Sequence, residues 1–150
     1  MNKGKVPNDL LEKLIINKIR RFRPEVIVRP KIGEDCCVID FGPYSCVIST
    51  DPITGTASEA GRLAVNVSCN DVASCGVEPL GLLLTILLPE GTTEEELETV
   101  MDQAIRTAEQ LNVEIIGGHT EITSAVNRIV INATAVGRAP SGRIITSSGA

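Results

Sequence analysis

Residues 79–89 read PLGLLLTILLP, an apolar run closed at both ends by proline. Its length suits a strand better than a helix, and its continuity predicts a strand buried on both faces. The segment that follows, TTEEELETVMDQAIRTAEQLN, changes to helical spacing. Thr93 and Glu96 fit a capping box, and acids crowd the first turn, where the helix dipole favours them. Leu97, Val100, Met101, Ala104, Ile105, Ala108 and Leu111 then fall on one face. A buried strand running into a one-faced helix calls for a sheet with helices packed against it.

The rest of the chain fits that plan. Asp9 stands at an N-cap position, and Leu10, Leu11, Leu14, Ile15 and Ile19 share a helical face. Pro24 and Pro30 in RFRPEVIVRP break that helix. Short strands near residues 36–39 and 45–49, joined by the turn-forming DFGPY, predict a hairpin. A second helix is expected from Ser58 to about Cys75, with Gly76 as its stop. A short strand, VEII, enters GGHTE, read as a turn, and RIVINATAVG closes the domain as an alternating strand. The expected order is helix, β, β, α, β, α, β, β. This predicts an α+β domain with helices on one face of a mixed or antiparallel sheet. Residues 1–30 read as an amino-terminal helix and extended leader, 31–140 as the domain, and 141–150 as the start of a linker to a second domain.

Composition narrows the function classes. The chain has 150 residues, 43% apolar and 22% charged, which describes one soluble globular domain. The charged start resembles no signal peptide, and the apolar run is too short to span a bilayer, so a cytoplasmic protein without membrane attachment is expected. Five cysteines without CxxC spacing argue against a disulfide framework or a structural zinc site, leaving reduced, buried thiols. Two Phe and one Tyr are too few for a single-strand stacking platform, so no nucleic-acid partner is expected. Charge is uneven. Residues 1–31 carry 9 Lys/Arg against 3 Asp/Glu, a net of +6, and the remainder 5 against 16, a net of −11. A basic leader on an acidic body suits either a polyanion or a solvated helix.

Three acids stand where elements end. Asp35 precedes the first strand with Glu34, Asp51 follows the second in STDP, and Asp71 lies in the second helix in NVSCND. Carboxylates so placed can converge once the sheet folds. Magnesium needs that arrangement: a few hard oxygen ligands, with phosphate oxygens completing the octahedron. Singly, Asp35 also reads as a turn residue, Asp51 as a pre-proline cap and Asp71 as a solvated helical position. Asn66 and Asn70, four apart, form a polar stripe beside Asp71, either for a ligand or as an outer face. In GGHTEIT, Gly117 and Gly118 let a ligand approach the backbone, and His119 and Thr120 supply polar groups. No GK[ST] follows, so this is not a Walker A loop. His119 is the only histidine, structural or catalytic.

GEDCCV, STDPITG, GRLAVNVSCNDVASCGVEPL and IIGGHTE, in this order and at these intervals, resemble the amino-terminal domain of the aminoimidazole-ribonucleotide synthetase (PurM-like) superfamily. The resemblance covers roughly residues 30–140 and is nearest to synthase-related, HypE-like hydrogenase-maturation proteins. It implies an ATP-binding domain that dimerises through its sheet into a barrel. It implies Asp35, Asp51 and Asp71 as magnesium ligands, with Glu34 as the adjoining candidate, and Asp51 and His119 as catalytic residues. Asn66, Asn70, Asp71, Gly117, Gly118 and Thr120 would then contact nucleotide. His119 stands where related kinases carry an acid, and Cys36 and Cys37 where relatives commonly carry alanine, which implies core filling. The implied function is the nucleotide-binding half of an ATP- and Mg2+-dependent enzyme that activates a substrate oxygen, HypE-like, with a small-molecule or protein-thiol substrate and a maturation partner protein. The alternatives are a small-molecule kinase of the thiamine-monophosphate type and a non-catalytic nucleotide-binding dimerisation module.

Overall fold

The computed structural model describes residues 4–54 and 57–147. The end of STDPITG and the last three linker residues therefore lie outside the described residues, as do the first three of the leader. In chain order the elements are α1 (Asn8–Leu14), a 3-10 turn (Ile16–Lys18), β1 (Val26–Val28), β2 (Cys36–Asp40), β3 (Tyr44–Thr54), α2 (Ala60–Ser74), β4 (Pro79–Leu88), α3 (Glu94–Gln110), β5 (Glu114–Ile122) and β6 (Val130–Pro140). The described strands form one sheet in the order β1-β2-β3-β6-β4-β5. The β4–β5 pair is parallel and the other pairs are antiparallel. The fold is a mixed sheet with helices α2 and α3 on one face, as expected.

The core lies between that face and the two helices. Leu82, Ile86 and Ile131 are among its fully buried side chains, each worth about 1.5–3 kcal/mol on leaving water. From α2, Ala64, Val65, Cys69 and Val72 point down onto the sheet, and from α3 Val100, Ala104 and Ala108 do so. Gly61 lets the helices meet closely, since a Cβ there would collide with the Val100 carbonyl. The expected capping box is formed: Thr93 Oγ1 accepts from the Glu96 amide at 3.2 Å, and the Glu96 carboxylate accepts from the Thr93 amide at 2.8 Å. Gly76, at φ +72°, stands just beyond the end of α2, as its position predicted.

Four expectations need correction. The apolar run of β4 is buried on one face only. Leu82, Leu84, Ile86 and Leu88 lie under the helices, while Leu80 and Leu83 stay 48% and 41% exposed, because among the described residues no element covers the opposite side. Second, GGHTE is not a turn but part of β5, whose parallel pairing with β4 supplies the hydrogen bonds a turn would lack. Third, α1 begins after Pro7 without a side-chain cap, Asp9 sits in its first turn, and the helix stops at Leu14 with no residue buried. Among the described residues its apolar face is covered only in part, Leu10 and Leu11 being half-buried, and Ile15 and Ile19 lie beyond its end. Fourth, VIV between the two prolines forms β1, a short edge strand that the helix-breaking reading of this segment overlooked.

Candidate functional site

The hairpin aims β3 so that alternate side chains face the helices. Ser45, Val47 and Ser49 are buried there, and Asp51 continues the same row where β3 emerges from the core. Helix α2 packs across β3 and brings Asp71 to that row. Ser49, 3% exposed, joins the parts: its Oγ donates to Asp71 Oδ2 at 2.7 Å and lies 3.3 Å from the Asp35 carbonyl oxygen. Asp51 lies within hydrogen-bonding reach of Asp71 and feels the charge of Asp35. Two segments distant in sequence thus bring Asp51 and Asp71 together, and the backbone of Asp35 reaches the same serine.

The electrostatics follow. Partial burial pushes the Asp51 carboxyl above the usual carboxylate range, and the neighbouring Asp71 and Asp35 add to the rise, while the Lys5 ammonium opposes it. A carboxylate whose charge is disfavoured by burial and by neighbouring acids, as that of Asp51 is, is one that a divalent cation relieves. Among the described residues, no three Asp, Glu, His or Cys side chains stand close enough to cage a metal by themselves. Magnesium is ordinarily held by one or two carboxylates plus water and substrate phosphates. Asp51 and Asp71 are the pair that would hold it, with Asp35 as the nearest further acid.

Glu34 is already engaged. Its Oε2 accepts from the Ser147 hydroxyl at 2.7 Å and the Ser147 amide at 3.2 Å. Ile145 donates its amide to the Cys75 carbonyl at 3.0 Å, so residues 143–147 run back along the domain rather than away from it. With Gly33, Asp35, Cys36 and Cys75 they enclose a cavity of about 260 Å³ beside the acids. Burial pushes the Cys36 thiol far up, the nearby Cys75 thiol adding to it, so Cys36 is a neutral core group. Cys37 faces the other side of the hairpin, half-buried, its thiol also raised by burial.

The remaining expected site residues lie elsewhere. Asn66 Nδ2 donates to the Arg62 carbonyl one turn back at 2.9 Å, and Asn70 is exposed, so neither amide joins the acids by a hydrogen bond. Asp51 pairs across to Ala133, Ala133 to Leu84, and Leu84 to Gly118. Gly118 is therefore three strand spacings from Asp51 on one rung, about 14 Å. A Cβ on Gly118 would strike the Leu84 carbonyl, so this glycine serves the close approach of β5 to β4. Gly117, Gly118, His119 and Thr120 border a separate cavity of about 320 Å³ with Met101 and Ile115. By the alternation of the pleat, His119 belongs to the opposite face from Asp51. Its Nε2 lies 2.9 Å from Glu121 Oε2 on the same strand. Within one chain His119 and Asp51 do not share a pocket.

Sequence reading missed Ser49 and Lys5. For Ser49 the signal was present: a hydroxyl two residues from Val47 on the buried row of a strand needs a polar partner, and an acid was the available one. For Lys5 there was none, because its position depends on how the leader crosses the acidic loop, where it lines a cavity of about 550 Å³ with Lys31, Glu34 and Asp35.

The model of the AIR synthase related protein, N-terminal domain, matches residues 33–139. The chain belongs to this family. Among the curated relatives of this AIR synthase-related domain is carbamoyl dehydratase HypE of Rhodobacter capsulatus, 28% identical over 93% of the chain and 42% of the relative. Another is the thiamine-monophosphate kinase of Pyrococcus horikoshii, 25% identical over 85% of the chain and 43% of the relative. Solved structures agree. HypE in complex with ATP is 25% identical with a TM-score of 0.61 over 95% of the chain and 42% of HypE. HypE in the HypE–HypF complex is 25% identical with a TM-score of 0.68 over 86% of the chain and 42% of HypE. The AIR synthase-related chain thus spans about two fifths of the length of the relatives it matches. Among its described residues no helix is long and apolar enough to cross a membrane.

Proposed function

We propose that this domain binds ATP with magnesium and forms the nucleotide-binding half of an ATP-dependent enzyme of HypE type. The observation that carries the reading is the pair of acids Asp51 and Asp71 at the end of β3, with Asp71 held by the buried hydroxyl of Ser49 and the Asp35 backbone beside that hydroxyl. Relatives support its class: HypE has been solved with ATP, and a thiamine-monophosphate kinase shares the domain. In this reading magnesium, when bound, neutralises charge on the phosphates. Asp51 and Asp71 hold the cation, and Asp35 contributes from the loop that Glu34 and Ser147 fix. Ser49 keeps the Asp71 carboxylate in one orientation, which is positioning rather than chemistry.

The exposed apolar side chains on the uncovered sheet face, Leu80 and Leu83 among them, favour a second copy of the chain as their cover, with the two sheets closing into a barrel. The complex of HypE with HypF supports a maturation protein as a further partner. The activated oxygen would then belong to a carbamoyl-bearing substrate, as the name of the R. capsulatus relative suggests. A small-molecule kinase is the second reading, and the P. horikoshii relative favours it.

Calorimetry with a non-hydrolysable ATP analogue tests the proposal. The chain is expected to bind the analogue more tightly with Mg2+ than with EDTA. Asp51→Asn and Asp71→Asn are each expected to abolish that difference. Unchanged affinity and unchanged metal dependence in both variants would overturn the assignment.

A further inference from the structure

The basic leader is folded into a cleft that the acidic site does not use. Residues 16–30 enclose about 700 Å³ between the 3-10 turn and β1. Arg20, Arg21, Arg23 and Arg29 line it, together with Ile19 and the 62% exposed ring of Phe22. The guanidinium of Arg29 stands 5.6 Å from the Phe22 ring centre and donates to the Arg23 carbonyl at 2.7 Å. Arg23 is held by Glu25 through two hydrogen bonds. Arg20 and Arg21 have no carboxylate partner among the described residues. One wall of the cleft includes Val26 of β1, an edge strand paired on one side only among the described strands. The Val26 amide already donates to the Arg23 carbonyl at 3.2 Å, which leaves the other outward groups of the strand open among the described residues.

We propose that this cleft docks an extended acidic segment of a partner protein, laid along the free edge of β1. The inference does not depend on the nucleotide-binding reading. An open strand edge offers main-chain hydrogen bonds to an incoming strand, and pockets beside it choose the side chains. Here the pocket floor is apolar and its rim is cationic. The segment that fits alternates carboxylates, for the forks of Arg20 and Arg21, with an aliphatic side chain for the surface of Ile19 and Phe22. Charge selects this occupant over a second copy of the chain's own leader, because residues 1–31 carry a net +6 and would repel each other. Three residues of β1 and Pro30 close behind it make the edge too short to recruit strands without that electrostatic help.

The test is fluorescence anisotropy of a labelled short peptide alternating Glu and Val, titrated with the 150-residue chain. A peptide of the same length alternating Gln and Val is the control. The acidic peptide is expected to bind, to weaken as salt rises, and to bind at least roughly tenfold more tightly than the control. The double variant Arg20→Glu/Arg21→Glu should remove the preference while leaving binding of the ATP analogue intact, so the two proposals fail separately. Equal binding of both peptides, no binding of the acidic one, or tighter binding of a labelled oligonucleotide would each overturn the docking inference.

Discussion

At Asp51 the surroundings work against the charged form of the carboxylate. Its proton affinity is raised in the fold, chiefly by burial and then by Asp71 and Asp35. The folded state therefore holds this proton more tightly than the unfolded chain does. Stability falls as pH rises from the ordinary aspartate range through the raised value, and the loss is complete above it. Asp51→Asn should accordingly stabilise the metal-free domain at neutral pH, by ~0.5 kcal/mol given solvent screening at a partly exposed site. The gain should vanish below the ordinary aspartate range, and Mg2+ should narrow it. Thermal melts of both forms across pH, with and without Mg2+, check this. Gly118→Ala should fail differently, since its Cβ meets the Leu84 backbone rather than a side chain that can move. A loss of about 3 kcal/mol or more is expected from forcing those strands apart, read in denaturant unfolding. The acids were legible one by one because each sits beside a Gly or Pro break or on a helix flank. The Ser49 hydroxyl that holds Asp71 announced only its need for a polar partner, and which acid would supply it depended on how α2 crosses β3.

Among the elements, α3 was the plainest in the sequence, and it is also where a single local bond can be weighed. Thr93→Ala removes the side-chain acceptor for the Glu96 amide. The expected cost is about 1 kcal/mol, seen as a lowered midpoint in denaturant without a change in slope. Gly61→Ala should cost more, about 1–3 kcal/mol, because it pushes α2 off the Val100 carbonyl and so also shifts Asp71. Analogue binding should weaken in that variant but not in Thr93→Ala. β4 was legible as a strand and misleading as to burial: periodicity cannot show which of two apolar faces a single chain covers. β5 was misread where Gly117 and Gly118 suggested a turn, because close packing against another backbone asks for glycine just as a turn does. The edge strand β1 went unseen, being three residues between prolines.

For the whole molecule, the helix-bearing face accounts for stability, and the bare face is the one proposed for association. If two sheets close on each other, Leu83→Lys should disfavour the dimer by roughly tenfold or more, charge at the centre of an apolar contact being poorly tolerated. Sedimentation velocity against concentration reads the shift, and added salt should not rescue the dimer. The basic leader, by contrast, should respond strongly to salt, so the two surfaces are separable in one instrument. Fold class was recoverable from alternating patterns alone. The partners of each face were not, because they are properties of assemblies rather than of one chain.

The Ser49 hydroxyl has a single hydrogen and two oxygens within reach, one on α2 and one in the acidic loop. In the structure that hydrogen points to Asp71. Under the proposed function, a cation sharing the charge of that carboxylate would weaken the pull and let the hydrogen swing toward the Asp35 carbonyl. Loading of the site would then be reported to the backbone of the loop through the rotation of one O–H bond, without any helix or strand having to move.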